Sequence, residues 1–181
     1  MIEKIELRDG HYAEIQHDSD VSQPYEDDEG VHIVVLHGKY KDPSEGACGT
    51  TPDEVGKWEK KNTKSWYVIP LWLYDHSGTA YRVAETNPFH CRFDSGRVGI
   101  VALKRSEWGD GKEPDEKMFE YAQNIAKEYS EWANGETYSY TICDENEETI
   151  DTCGGFIGLD VIKEEIQLQA ENLLNGPRQS M

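Results

Sequence analysis

Through the first hundred positions apolar residues come in short alternating or continuous runs, and only later in a helical period. That switch sets the expected fold. Strands are predicted at Glu3–Leu7 and His11–Gln16 around an Asp9-Gly10 turn, and at Val31–Tyr40, where Ile33, Val34, Val35 and Leu36 run unbroken. Trp66–Tyr74 is the most hydrophobic segment, expected as a central strand with a bulge or edge position at Pro70, which cannot donate a ladder hydrogen bond. Asp75-His76-Ser77-Gly78 turns the chain into a strand near Thr79–Ala84. Asp94-Ser95-Gly96, with Phe93 as its expected anchor, turns it into Arg97–Leu103. Between these, residues 41–64 carry Pro43, Gly46, Gly49, Pro52, Gly56 and many charges and read as a long irregular loop.

Residues 115–134 have helical spacing, with Met118, Ala122, Ile125, Tyr129 and Trp132 on one face and Glu120, Asn124, Lys127 and Glu131 opposite; Asn134-Gly135 is the stop. A hairpin of Thr137–Cys143 and Thr149–Cys153 follows, turning through residues 144–148. Gly154-Gly155-Phe156-Ile157-Gly158 then reads as a flexible joint. The last helix is expected to start with Asp160 as N-cap, to bury Val161, Ile162, Ile166, Ala170 and Leu173, and to end at Asn175-Gly176-Pro177, leaving 176–181 as a flexible tail. Runs of strands followed by helices indicate an α+β fold: a single domain over 1–181, with a mixed or antiparallel sheet and two helices in the C-terminal half.

Charge adds the next constraint. The chain has 36 acidic and 18 basic side chains, a net charge of −18, and between Arg105 and Glu165 the count is 17 acidic against 5 basic. Such a chain repels bare nucleic acid and anionic membrane and attracts basic protein surfaces. No apolar run nears the ~18 residues that suggest a membrane span. The N-terminus lacks a signal-peptide layout, so a cytoplasmic location is expected. In that reducing setting Cys48, Cys91, Cys143 and Cys153 are expected as free thiols. Cys143 and Cys153 lie on opposite hairpin strands but several residues apart along the ladder, beyond disulfide reach.

Each catalytic pattern has a plainer reading. Asp75-His76-Ser77 holds the side chains of a hydrolase triad, but neighbours on an extended chain point apart, and the residues suit a turn. His90-Cys91 is the best place for thiol or metal chemistry. His37 and Cys48 would have to complete a metal site, yet no paired ligand spacing is present, so neither metal nor cofactor is expected. The glycine run 154–158 lacks the lysine of a phosphate loop, and Asp160 would repel phosphate. Lys57, Lys60, Lys61 and Lys64, interleaved with Trp58 and Trp66, form the one basic-aromatic stretch. They are candidates for nucleic-acid contact, or a solvated segment whose tryptophan packs inward.

Trp72-Leu73-Tyr74-Asp75-His76-Ser77-Gly78, followed by Pro88-Phe89-His90-Cys91-Arg92-Phe93-Asp94-Ser95-Gly96-Arg97-Val98-Gly99, resembles a family of largely uncharacterised proteins carried by phages, plasmids and integrative elements of Firmicutes. Tyr138–Ile142 and Ile150–Gly158 resemble that family's second motif, although Gly154 stands where members often have Trp and Glu147 where they have the glycine of an Asn-Gly turn. The resemblance implies an accessory protein of a mobile element, similar in style to anti-CRISPR and antirestriction inhibitors, and supplies no catalytic residues.

The expected function is therefore inhibition of a nucleic-acid-targeting host nuclease, of restriction or Cas type, by an acidic face that stands in for a polyanion. Its candidate residues are Glu113, Asp115, Glu116, Glu120, Glu128, Glu131, Asp144, Glu145, Glu147 and Glu148. Direct nucleic-acid contact would be weak or absent. Two alternatives stay open: a phage or plasmid factor binding a replication or transcription protein, and a thiol enzyme using His90, Cys91 and Asp94.

Overall fold

In the computed structural model the described residues are 1–37, 44, 46–91, 93–107 and 115–175. The tail expected at 176–181 lies outside them. The fold is α+β with antiparallel sheets, and among the described residues three α-helices stand where the sequence reading has two. The chain that the sequence treats as one domain groups into two compact units, a terminal one of Met1–Ser22 with Gly135–Met181 and a central one of Gln23–Asn134.

The central unit is a sheet covered on both faces. Its strands are β3 (Val31–Val35), β4 (Trp66–Asp75), β5 (Thr79–Val83) and β6 (Ser95–Lys104), in the order β3-β6-β4-β5. Helix α2 (Asp115–Ala133) covers one face, where Met118, Ala122, Ile125 and Tyr129 meet Val31, Ile33, Ile69, Leu71, Val101 and Leu103. The other face carries Val34, Ile100 and Ala102 under Val55 of helix α1 (Pro52–Asn62). Strand side chains alternate between faces, so burial on both sides requires the unbroken apolar runs seen in β3 and β6.

Helix α1 corrects the expectation of an irregular loop over 41–64. Thr51 is its N-cap, accepting the Glu54 backbone N–H at 3.3 Å, and Pro52 opens the first turn. Glu54 reaches back to the Thr50 N–H at 2.8 Å. A Thr-x-x-Glu sequence with proline at the first helical position is a start signal, outweighed in the sequence reading by Gly56 and the charge density. Residues 38–43 and 45 lie outside the described residues.

Pro70 is accommodated as expected. Its carbonyl accepts from Ala84, on the β5 side, so its nitrogen points the same way, just before the β4–β5 pairing begins at Leu71. A bulge follows: Leu71 pairs with Gly99 but Trp72 with Arg97, leaving Val98 as the extra residue on β6. At the far edge, α2 bonds to the backbone of β5. Ser130 Oγ accepts from Tyr81 N at 2.8 Å, and Asn134 bonds both backbone groups of Thr79, at 2.9 and 2.7 Å.

The terminal unit is smaller. Strands β1 (Glu3–Glu6), β2 (Tyr12–His17), β7 (Thr137–Cys143) and β8 (Thr149–Ile157) form one antiparallel sheet in that order, and helix α3 (Leu159–Asn175) packs Ile162 and Ile166 on Ala13, Ile15, Tyr138, Tyr140 and Ile142. The glycine joint expected after Cys153 is strand. Cys153 pairs with Tyr140 and Phe156 with Tyr138, so Gly154 and Gly155 form a bulge. Asp18 accounts for Gly154, where a Cβ would come within 2.6 Å of its carboxylate, and it accepts the N–H of Gly155, whose own φ of +87 suits glycine. Helix α3 begins at Leu159, after Gly158 at φ +90, so Asp160 lies in the first turn rather than at the cap. Val161, expected inside, is 50% exposed. All four cysteines are free.

Gly99 is the tightest point of the central sheet, since a Cβ there would sit 1.7 Å from the Val34 carbonyl oxygen. Gly99→Ala should destabilise the protein by at least about 2 kcal/mol through overpacking. Gly96→Ala, whose Cβ meets nothing within 4 Å, should melt close to the wild type in the same urea titration.

Candidate functional site

The acidic candidates fall in both units. Glu113 lies outside the described residues, and Asp115 opens α2. Glu116 and Glu120 are exposed on that helix. Glu128 is half-buried and accepts the Tyr25 hydroxyl, an interaction that, after burial itself, pushes the Tyr25 pKa upward. Glu131, expected on the solvent face, is only 20% exposed and pairs with Lys127 at 3.3 Å. Asp144, Glu145, Glu147 and Glu148 instead belong to the terminal unit, at the β7–β8 turn, where the last three are exposed.

Asp144 builds that turn. Its Oδ1 accepts the N–H groups of Glu148 at 2.9 Å and Asn146 at 2.8 Å. Those bonds, the one from Glu148 first, hold its carboxyl below the usual aspartate range. Glu147 occupies the left-handed region at φ +65, the conformation for which glycine is the usual choice.

Charge is partitioned unequally. The terminal unit has 16 acidic and 4 basic residues in 69, a net of −12; the central unit has 20 and 14 in 112, a net of −6. Two of the terminal unit's cations are already engaged: Lys4 pairs with Glu6 at 3.5 Å and lies over the Tyr12 ring, and Lys163 pairs with Glu3 at 2.8 Å. Its surplus of carboxylate is therefore on the surface with little cation to balance it.

In the central unit, the two turns singled out in the sequence meet. Cys91 Sγ lies 3.1 Å from Asp94 Oδ2, and His76 Nδ1 lies 3.9 Å from the same oxygen. The imidazole that approaches is thus His76; His90 is exposed. The carboxylate stands between thiol and imidazole, whereas nucleophile activation needs the imidazole next to the nucleophile. The group serves to brace a loop. Ser95 Oγ donates to the Cys91 carbonyl, Asn87 bonds Ser95 Oγ at 3.0 Å, and the Asp94 carbonyl accepts from Asp75 N at 2.9 Å. Phe93, expected as the anchor, is 99% exposed, because these polar bonds secure the turn without it.

Lys57, Lys60, Lys61 and Lys64 are all exposed, the first three on α1 in i, i+3, i+4 register and Lys64 in the turn that follows it. Their aromatic neighbours do not face outward with them. Trp66 stacks on His32 with centroids 4.6 Å apart, Trp58 packs edge-on at 5.5 Å, and both join the small core under α1. Much of both indole faces is thus spent on these internal contacts.

One concavity escaped the sequence reading because it requires α1. A cavity of about 260 Å³ lies beside Val55 and Gly56 of α1, with Leu36 and Val98 in its wall and the Glu59–Arg97 ion pair, 3.5 Å apart, in its lining. Among the described residues no group of three or more His, Cys, Asp or Glu is placed to hold a metal ion, and no helix is long and apolar enough to cross a membrane. Comparison with protein-family models, curated proteins and solved structures finds no match.

The depressed pKa of Asp144 gives the hairpin turn an acid limit. Its bonds support the fold above the ordinary aspartate pKa and are lost as pH falls through the lower, folded value. In an NMR titration the Asn146 and Glu148 amide signals should move together with the Asp144 carboxyl, at a pH below that of an ordinary aspartate; titration at the ordinary value would show that the turn bonds are absent in solution.

Proposed function

We propose that the protein works by binding, as an accessory factor of a mobile element that inhibits a host nuclease of restriction or Cas type, with the carboxylate surface of the terminal unit docking on the basic nucleic-acid channel of its target. The observation that carries this reading is the net charge of −12 on 69 residues. Carboxylates on a folded surface present fixed negative charge, and a nuclease channel lined with Lys and Arg is built to receive fixed negative charge. Complementarity of this kind speeds encounter and makes it salt-sensitive. Within the surface, Glu145, Glu147 and Glu148 project from a turn that Asp144 stiffens, so they lose little freedom on binding.

The candidates on α2 take a lesser part. Glu128 and Glu131 are engaged inside the central unit, leaving Glu116 and Glu120 for any contact that helix makes.

Cleavage assays with purified restriction and RNA-guided nucleases test the proposal. The wild type should slow at least one of them, with inhibition weakening as salt rises. The triple variant Glu145→Gln, Glu147→Gln, Glu148→Gln should fold normally and lose about tenfold or more in affinity, corresponding to about 1.4 kcal/mol. Undiminished cleavage by every nuclease tested at saturating protein would refute the reading. Affinity capture of a replication or transcription protein instead would replace it with the alternative.

A further inference from the structure

Gly56 lies in the interior of α1, and neither its backbone nor its neighbours require glycine. Its conformation is ordinary right-handed helix, and a Cβ built on it meets nothing within 4 Å. Helix interiors disfavour glycine relative to alanine. A methyl group there would stiffen α1 without a clash, yet the position is left bare, and it is bare where the 260 Å³ cavity opens beside the helix.

The rest of the lining indicates what the cavity takes. Leu36, Val55 and Val98 provide an apolar wall. Glu59 and Arg97, 31% and 47% exposed, provide one charge of each sign on the solvent side. Their bond is long at 3.5 Å, and the Arg97 Nε contact to the Gly99 carbonyl is long as well, at 3.4 Å. A guanidinium has five donors, so neither contact exhausts it.

A ligand with a single charge can meet only one member of this pair. A ligand with both charges gives each a new partner, carboxylate to Arg97 and ammonium to Glu59. We propose that this cavity binds an apolar α-amino acid as its zwitterion, with the hydrocarbon side chain against Leu36, Val55 and Val98. The site is independent of the acidic surface and does not rest on the nuclease reading.

Calorimetry on the full-length protein with leucine, 4-methylpentanoate and 3-methylbutylamine separates the contributions, because the last two keep the hydrocarbon and carry one charge each. Leucine should bind, and each single-charge analogue should bind about tenfold or more weakly. Gly56→Ala should melt at or above the wild-type temperature, while Gly56→Leu, which fills the space, should abolish binding. If Gly56→Leu fails to fold, Arg97→Gln and Glu59→Gln supply the same test, each with at least about a tenfold loss. No binding by any aliphatic or aromatic amino acid would overturn the proposal. So would equal binding of all three compounds, or a Gly56→Ala protein that melts below the wild type.

Discussion

The central unit depends on how closely β3 approaches β6. Both strands are buried on both faces, and the two small cores they supply, under α2 and under α1, share their backbone. The contact is tightest at Gly99, where the Val34 carbonyl occupies the space of a side chain. On the other side of β6 the pairing with β4 has its bulge at Val98, next to Gly99, and Arg97 beyond it pairs with Glu59 on α1. The β3–β6 pairing therefore requires glycine at this position, and Gly99 also lines the cavity beside α1.

Charge is handled differently in the two units. In the central one, several carboxylates have internal work: Glu128 with Tyr25, Glu131 with Lys127, Glu59 with Arg97, Asp94 with Cys91 and His76. In the terminal one, Asp18 and Asp144 accept backbone N–H groups and Asp151 accepts from Tyr140, while the turn's other acids extend into solvent. The same residue types thus hold local structure in one place and form an uncompensated surface in another. Net charge alone does not separate those roles.

Strand-rich order, the long helix at 115–133 and the hairpin after it were legible because hydrophobic period and turn residues agreed there. The register of that hairpin was not legible in full, because irregularities at Ile142/Cys143 and Tyr138/Tyr140 interrupt the ladder and put Cys143 opposite Thr149. Helix α1 was missed although Thr51, Pro52 and Glu54 announce it, since glycine and dense charge mimic a loop. The role of Asp18 against Gly154 and Gly155 was not accessible from sequence, because the partners are more than a hundred residues apart. Phe93 was misjudged for a related reason: its turn is secured by Asn87 and by the neighbouring strand pair, and such bonds leave no periodic trace. The cavity inherited the fate of the helix that bounds it.

The bonds from Ser130 and Asn134 to β5 have an effect on how these molecules behave in a crowd. An outermost strand with unsatisfied N–H and C=O groups is a template on which another chain can add, and its growth is the first step toward filaments. Here Ser130 of α2 and Asn134, just past its end, occupy the backbone of Thr79 and Tyr81. The sheet is closed to newcomers on that side, which keeps copies of a strand-rich chain from zipping together along that edge.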